Sequence, residues 1–199
     1  MSQLKLTADG GGGTVAIKGP ASTTGNGAIE LTVPGTSNAT LLTSATNTGK
    51  ILQVVSTYYT THFSSTSTSY VDVGLSATIT PSSSSNKILI LTNLVTGCGT
   101  TTSLYFRLYN GSSEITAATN SNGSGNQAAA FIASNHHGSG AQFDIDQTSH
   151  HFLYSPNTTS ATTIKVYGRT DGDTFYINRY AYGTSVSSGS SMTLMEVAA

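Results

Sequence analysis

The densest group of side chains able to do chemistry lies in the second half of the chain. It comprises two histidine pairs and two aspartates: His136, His137, Asp144, Asp146, His150 and His151. Imidazole and carboxylate groups bind divalent metals, and in a trimer one histidine from each chain would complete a three-histidine site. Neighbouring strand residues point to opposite faces, so only one histidine of each pair could join a given site. We therefore expect no metal site.

Two other interpretations of this group stay open. The histidines would lie on a Ser- and Gly-rich surface loop, which is the interpretation we favour, or they would form a pH-sensitive interface, because imidazole gains its charge near pH 6.5. Asp144 and Asp146 share a strand face, as paired carboxylates might for glycoside hydrolysis, but an exposed polar face explains them more simply. A metal-dependent hydrolase is the corresponding enzyme hypothesis.

Other motifs do not indicate an enzyme or a cofactor. The 171–173 segment, Asp-Gly-Asp, lacks the further ligands of a calcium loop and predicts a hairpin turn between strands at 162–168 and 174–180. The chain has no Gly-x-Ser-x-Gly nucleophile elbow, and the glycines at 10–13 lack the lysine of a phosphate-binding loop. We expect a protein without catalytic residues or cofactors.

Composition limits the partners. Charged residues make up 9% of the 199 residues, with 8 Lys+Arg against 9 Asp+Glu, so neither nucleic acid nor an anionic membrane is an expected partner. No apolar run is long enough for membrane insertion, and the first residues lack signal-peptide features, which predicts synthesis in the cytoplasm of the producing cell. The lone cysteine, Cys98, excludes a disulfide within one chain and is expected to be a small buried residue.

The elements that must position these residues are strands. The chain contains 29 Ser and 33 Thr together with recurring Val, Ile, Leu and Tyr, a composition typical of β structure rather than of disorder. Residues 1–49 predict an extended β arm with short alternating segments, and residues 50–199 predict one sandwich domain. The strands are expected near 51–59, 70–73, 75–80, 87–96, 103–109, 128–133, 143–146, 152–154, 162–168, 174–180 and 192–197. The fold class is therefore all-β, an antiparallel sandwich of jelly-roll type that follows an N-terminal arm.

One strand differs from the others. Most predicted strands alternate between apolar and polar residues, as Ile164 and Val166 do around Lys165. The segment 88–91, Ile-Leu-Ile-Leu, is apolar on both faces. This pattern predicts a central strand that the opposite sheet covers on one face and a partner subunit covers on the other.

Several segments of the chain resemble the C-terminal module of phage tail-fibre and other virion proteins. They are KILQVV at 50–55, SSTSTSYVDV at 64–73 after Phe63, LSATITP at 75–81, NKILI at 86–90 and MTLMEV at 192–197. The segments GTVAIKGPASTT at 13–24 and LTVP at 31–34 resemble the leaders of phage fibre-like proteins.

This resemblance implies a non-enzymatic virion structural protein on the particle surface. It implies a homotrimer whose sandwich knob is exposed, whose residues 1–49 attach to other virion proteins, and which contacts host-surface glycan in a role in host adhesion. Because only 49 residues precede the module, a short head fibre, a tail-tip subunit and a capsid decoration protein that stabilises the head lattice are alternatives to a tail fibre. A carbohydrate-binding module with an exposed tyrosine patch is a further alternative.

Overall fold

The computed structural model describes residues 51–99, 102–120, 128–133 and 143–199. These residues belong to one compact unit, which falls within Asn47–Ala199. The strands are β1 (Ile51–Tyr59), β2 (Phe63–Ser65), β3 (Val71–Ile79), β4 (Lys87–Cys98), β5 (Leu104–Asn110), β6 (Ser113–Glu114), β7 (Phe131–Ala133), β8 (Asp146–Tyr154), β9 (Thr162–Thr170), β10 (Phe175–Ile177) and β11 (Ser190–Val197).

The strands form two antiparallel sheets that pack face to face. Sheet A contains β1, β11, β4 and β8 in that order, and the short strands β10 and β2 extend it beside the end of β4. Sheet B contains β3, β9, β5 and then β6 and β7, which pair with different parts of β5. Without the short β2, β6 and β10, the pairings join first strand to last, second to seventh, third to sixth and fourth to fifth. This is the jelly-roll arrangement, and the predicted fold class is confirmed.

The core lies between the two sheets. Sheet A contributes Ile88, Ile90 and Leu94 from β4, and sheet B contributes Phe106 from β5 and Ile164 from β9, all of them fully buried. Phe106 stacks on Phe131 with ring centroids 5.2 Å apart. The two-residue alternation of the sequence therefore places the larger apolar side chains on the inner faces, as the pattern predicted.

Two pairs of predicted strands turn out to be single strands. Residues 70–73 and 75–80 were expected as separate strands, but β3 runs through Gly74, which has a positive φ of 93° at an irregularity in the pairing with β9. A side chain at Gly74 would also collide with the ring of Tyr59. Likewise, β8 is continuous from Asp146 to Tyr154, where two strands at 143–146 and 152–154 were expected. In each case the strand continues through a local break in the apolar pattern, although at Gly74 the pairing of β3 with β9 shifts register.

The hairpin predicted at 171–173 is wrong. The strand before it, β9, belongs to sheet B, and the strand after it, β10, belongs to sheet A, so the turn connects the two sheets. Arg169 bonds to Asp171, and Tyr105 donates a hydrogen bond to the other carboxylate oxygen of Asp171 at 2.8 Å. These contacts fix the turn against sheet B.

A short 3₁₀ turn, Thr116–Ala118, follows β6. None of the described residues form a helix long and apolar enough to cross a bilayer. The predicted arm, residues 1–49, lies outside the described residues, and the proposed division of the chain near Lys50 stays a prediction.

Substituting Gly168 tests how tightly the core is packed. A Cβ at this position of β9 would lie 2.8 Å from the Phe106 ring, so Gly168→Ala is expected to lower the free energy of unfolding by about 1–3 kcal/mol through overpacking. Urea denaturation measures the change. The control is Gly172→Ala, because a Cβ there meets nothing within 4 Å and the expected change is within about 0.5 kcal/mol. Equal effects of the two variants would contradict this packing.

Candidate functional site

The structure describes four of the six histidines and aspartates that the sequence analysis grouped. Asp146, His150 and His151 lie on β8, whereas Asp144 precedes that strand. His136 and His137 lie outside the described residues. The expectation that the second histidine pair occupies a surface loop is wrong, because both of its residues pair in the middle of β8 with β4: His150 opposite Thr92 and His151 opposite Leu91.

The two histidines of β8 point to opposite faces of sheet A, as the strand geometry predicted. His150 faces the interior and stacks on Phe131, with ring centroids 5.4 Å apart. Its Nε2 is buried and has no hydrogen-bond partner among the described residues. Burial, with a smaller contribution from the neighbouring His151, lowers the pKa of His150. His151 is exposed on the outer face.

This arrangement does not assemble a metal centre from the described residues. None of their histidines, cysteines, aspartates and glutamates form a group of three able to hold a metal ion. Asp146 is opposite Thr96 in the ladder, four residues along β8 from His150 and about 13 Å away at the usual strand rise. The glycosidase arrangement of Asp144 and Asp146 on one strand face is not formed either, because only Asp146 belongs to a strand.

Cys98 ends β4 and is fully buried, as expected. Burial, reinforced by the nearby carboxylates of Asp144, Asp173 and Asp146, raises the pKa of its thiol to about 12. A thiol in that state carries almost no thiolate at neutral pH and is a poor nucleophile. Its role is to fill space at the end of the core.

Sequence reasoning missed one buried carboxylate, Glu196 of β11. It is only 2% exposed and accepts hydrogen bonds from the Ser82 backbone at 2.6 Å and from the Asn86 side chain at 2.7 Å. Burial works to raise the pKa of Glu196, but the hydrogen bonds from Asn86 and Ser82 outweigh it and lower the pKa. The carboxylate holds the 81–86 turn against the last strand, which is a structural role. The sequence signal for its burial was the alternation of β11, which places Glu196 on the same face as the buried Met192 and Leu194.

A shallow depression of about 260 Å³ lies on sheet A where β8, β4 and β11 run side by side. Seven of the eight residues that line it carry a hydroxyl, amide or imidazole group, although their apolar atoms supply much of the surface: Leu91, Thr92, Asn93, Ser149, His150, His151, Ser191 and Thr193. The Asn93 Oδ1 atom is buried and has no hydrogen-bond partner among the described residues. The depression offers hydroxyl, amide and imidazole groups for polar contacts.

The outer face of sheet B carries charged side chains whose partners are close. Lys165 of β9 pairs with Asp72 of β3 at 2.8 Å, and Arg107 of β5 pairs with Glu114 at 2.7 Å. Arg107 also lies over the Tyr70 ring, 4.2 Å from its centroid. Together with the Arg169–Asp171 pair, these are the ion pairs formed between described residues, and they all lie on or beside sheet B.

The outer face of sheet A has the opposite character. Large apolar side chains are strongly exposed on its first strand, with Ile51 54%, Leu52 51% and Val54 56% exposed, and Leu153 of β8 is 45% exposed. Leu89 and Leu91 of β4 are half-buried and alternate with the core residues Ile88 and Ile90. The prediction of a central strand with apolar residues on both faces is therefore confirmed for β4.

No family model matches the chain, and no curated protein matches it.

The buried His150 predicts a pH-dependent stability. In the unfolded chain a histidine takes up a proton near pH 6.5, whereas folding lowers the pKa of His150, so the unfolded state binds more protons as the pH falls below 6.5. The urea midpoint is expected to fall between pH 7.5 and pH 5, and His150→Gln is expected to reduce that fall. The control His62→Gln, at an exposed position, is expected to leave the fall unchanged. An identical fall in His150→Gln and the natural chain would contradict the assignment.

Proposed function

We propose that this protein is a non-enzymatic structural component of a phage virion, a short trimeric appendage whose jelly-roll knob is exposed on the particle. Residues 1–49 attach the knob to other virion proteins. The knob itself contributes to contact with the host surface, including its glycans.

The observation that supports this proposal best is the exposed apolar outer face of sheet A. A monomeric soluble protein rarely exposes a contiguous patch of large apolar residues beyond a few hundred Å², and larger patches mark interaction sites. The four strongly exposed residues Ile51, Leu52, Val54 and Leu153 lie on the two edge strands of this sheet. Association with sister copies removes such a face from water, which is the function of an assembling structural protein.

The chemistry of the described residues supports a role without catalysis. No three candidate metal ligands lie together among the described residues, the half-buried His150 stacks on Phe131, and Cys98 is a buried thiol with a raised pKa. The assignment to a virion also depends on the resemblance to phage fibre-like proteins of several segments within 13–34 and 50–90 and of the segment 192–197. A sandwich with an exposed apolar face is suited to that role.

A capsid decoration protein is the second candidate, because it also needs an apolar face to bind sister subunits or the head lattice. The number of copies in each particle distinguishes the two. Quantitative mass spectrometry of purified virions is expected to give a few copies for an appendage and a number close to that of the capsid subunit for decoration.

The mass of the full-length protein in solution tests the proposal most directly. Light scattering at pH 7.5 is expected to give a particle of three 20.5 kDa chains. Burial of three copies of the apolar face provides the driving force. A single-chain mass at micromolar concentration would contradict the structural role that we propose.

Removing residues 1–49 separates the virion hypothesis from a carbohydrate-binding module. A virion arm predicts that the 50–199 chain keeps a cooperative thermal transition but no longer incorporates into particles assembled in its presence. A carbohydrate-binding module predicts instead a monomer that binds immobilised glycans as tightly as the full chain does. Binding curves on a glycan array and sedimentation with particles measure the two outcomes.

A further inference from the structure

The outer face of sheet A carries an apolar row that crosses all four of its long strands. In the strand register Val54 of β1 is opposite Met195 of β11, Met195 is opposite Leu89 of β4, and Leu89 is opposite Leu153 of β8. We call these four residues the apolar row. Directly opposite residues of adjacent strands have Cβ atoms about 5 Å apart, so the row is continuous. Ile51 and Val197 are paired at the end of the sheet next to it.

We infer that the apolar row is the surface through which copies of this chain contact one another. This inference rests on the proposed function and gives it a location. The partner is a second copy of the same chain, which presents the same row. Three copies around an axis can each turn this face toward the centre, so that every row is covered by its neighbours.

The charges on the face favour a second copy over other partners. The outward-facing positions of β1, β11, β4 and β8 carry one lysine, Lys87, one histidine, His151, and no carboxylate. Nucleic acid or an anionic membrane would require several cations, and a charged protein partner would require complementary groups. An identical apolar face needs none of these and excludes water from both sides of the contact.

The size of the face is suited to an oligomer interface. Four strands about 4.8 Å apart, which pair with one another over seven to nine residues at about 3.3 Å per residue, cover about 440–570 Å² in projection, and side chains increase the accessible area. A stable interface buries about 800 Å² on each partner. The polar depression beside the row, with Asn93 and Ser149, then lies at the rim of the contact, where hydrogen bonds and water are usual.

The first strand gives an independent indication. Solvent-exposed edge strands are usually protected by charged residues or proline, because an unprotected apolar edge invites association. Strand β1 is an edge of sheet A, and its nine residues, ILQVVSTYY, include neither a charge nor a proline. The opposite edge, β8, includes Asp146 and two histidines. The unprotected edge is the one whose apolar residues Ile51, Leu52 and Val54 are most exposed.

The test compares serine substitutions of exposed apolar residues in the full-length chain by sedimentation velocity over a concentration series. Val54→Ser removes an apolar side chain from the row, and Leu153→Ser removes a second one. Each is expected to weaken association about tenfold, and together they are expected to give a folded monomer. The control is Val186→Ser, since Val186 is 50% exposed but lies in the loop after β10, where its carbonyl bonds to the backbone of Tyr180. Tyr180 lies beside Gly97 of β4, and Gly97 is eight residues, about 26 Å at the usual strand rise, from Leu89 of the row. This control is expected to associate like the natural chain.

The outcomes separate this inference from the proposed function. A natural chain that is monomeric overturns both. A natural trimer that the double variant leaves intact, or that Val186→Ser weakens equally, overturns the apolar row as the contact while the structural role stands. A third possibility is a natural chain that is monomeric in solution but floats with neutral phosphatidylcholine vesicles in a manner that Val54→Ser abolishes. That result overturns the self-contact and assigns the row to a lipid surface. Circular dichroism of each variant verifies that the sandwich is folded.

Discussion

Strand β4 is hydrogen-bonded along both edges and carries apolar side chains on both faces, and the rest of the sandwich depends on this combination. Its ladder holds β11 and β10 on one edge and β8 on the other. Its inward residues, Ile88, Ile90 and Leu94, form the floor of the core. Because side chains alternate across a strand, the same backbone that fixes the core also fixes Leu89 and Leu91 on the outside. A shift of one residue in the pairing of β4 would therefore change the inner packing and the outer apolar face together.

The outer faces of the two sheets differ in the side chains that they carry. Sheet B concentrates its ion pairs on its outer face, and each pair also packs on an aromatic ring or a neighbouring strand, as Arg107 does with Tyr70 and Arg169 with Tyr105. Partly exposed pairs of this kind add little stability, but they keep the face soluble. Sheet A has apolar and hydroxyl groups at the equivalent positions. The ion pairs between described residues thus lie on or beside sheet B, whereas the outer face of sheet A, which carries Lys87 but no carboxylate, is suited to contact with protein.

Local sequence patterns predicted the strands and their faces but not how the strands join. The nine residues of β1, the two-sided β4 and the polar exposure of Lys165 all follow from alternation over a few residues. The 171–173 turn was assigned to a hairpin because an Asp-Gly sequence fixes the local chain reversal but not the sheet that the next strand joins. The same limit applies to His150 and Glu196, whose burial depends on Phe131 and Asn86, residues far away in the chain. Sheet pairing is a long-range property, and a single sequence has no local signal for it.

The described histidines and aspartates differ from the apolar residues of sheet A in how the strands position them. Histidine and aspartate side chains become catalytic when they line the same pocket and when that environment shifts their pKa values. In this chain the alternation of β8 turns His150 toward Phe131 on the inner side and His151 to the outside, and Asp144 precedes the strand. The apolar side chains on the outer face of sheet A, in contrast, are brought together by the ladder itself, since every antiparallel pairing places equivalent faces side by side. A face assembled in this way gains free energy only when it is covered, so in the proposed assembly association and folding stability are linked by mass action.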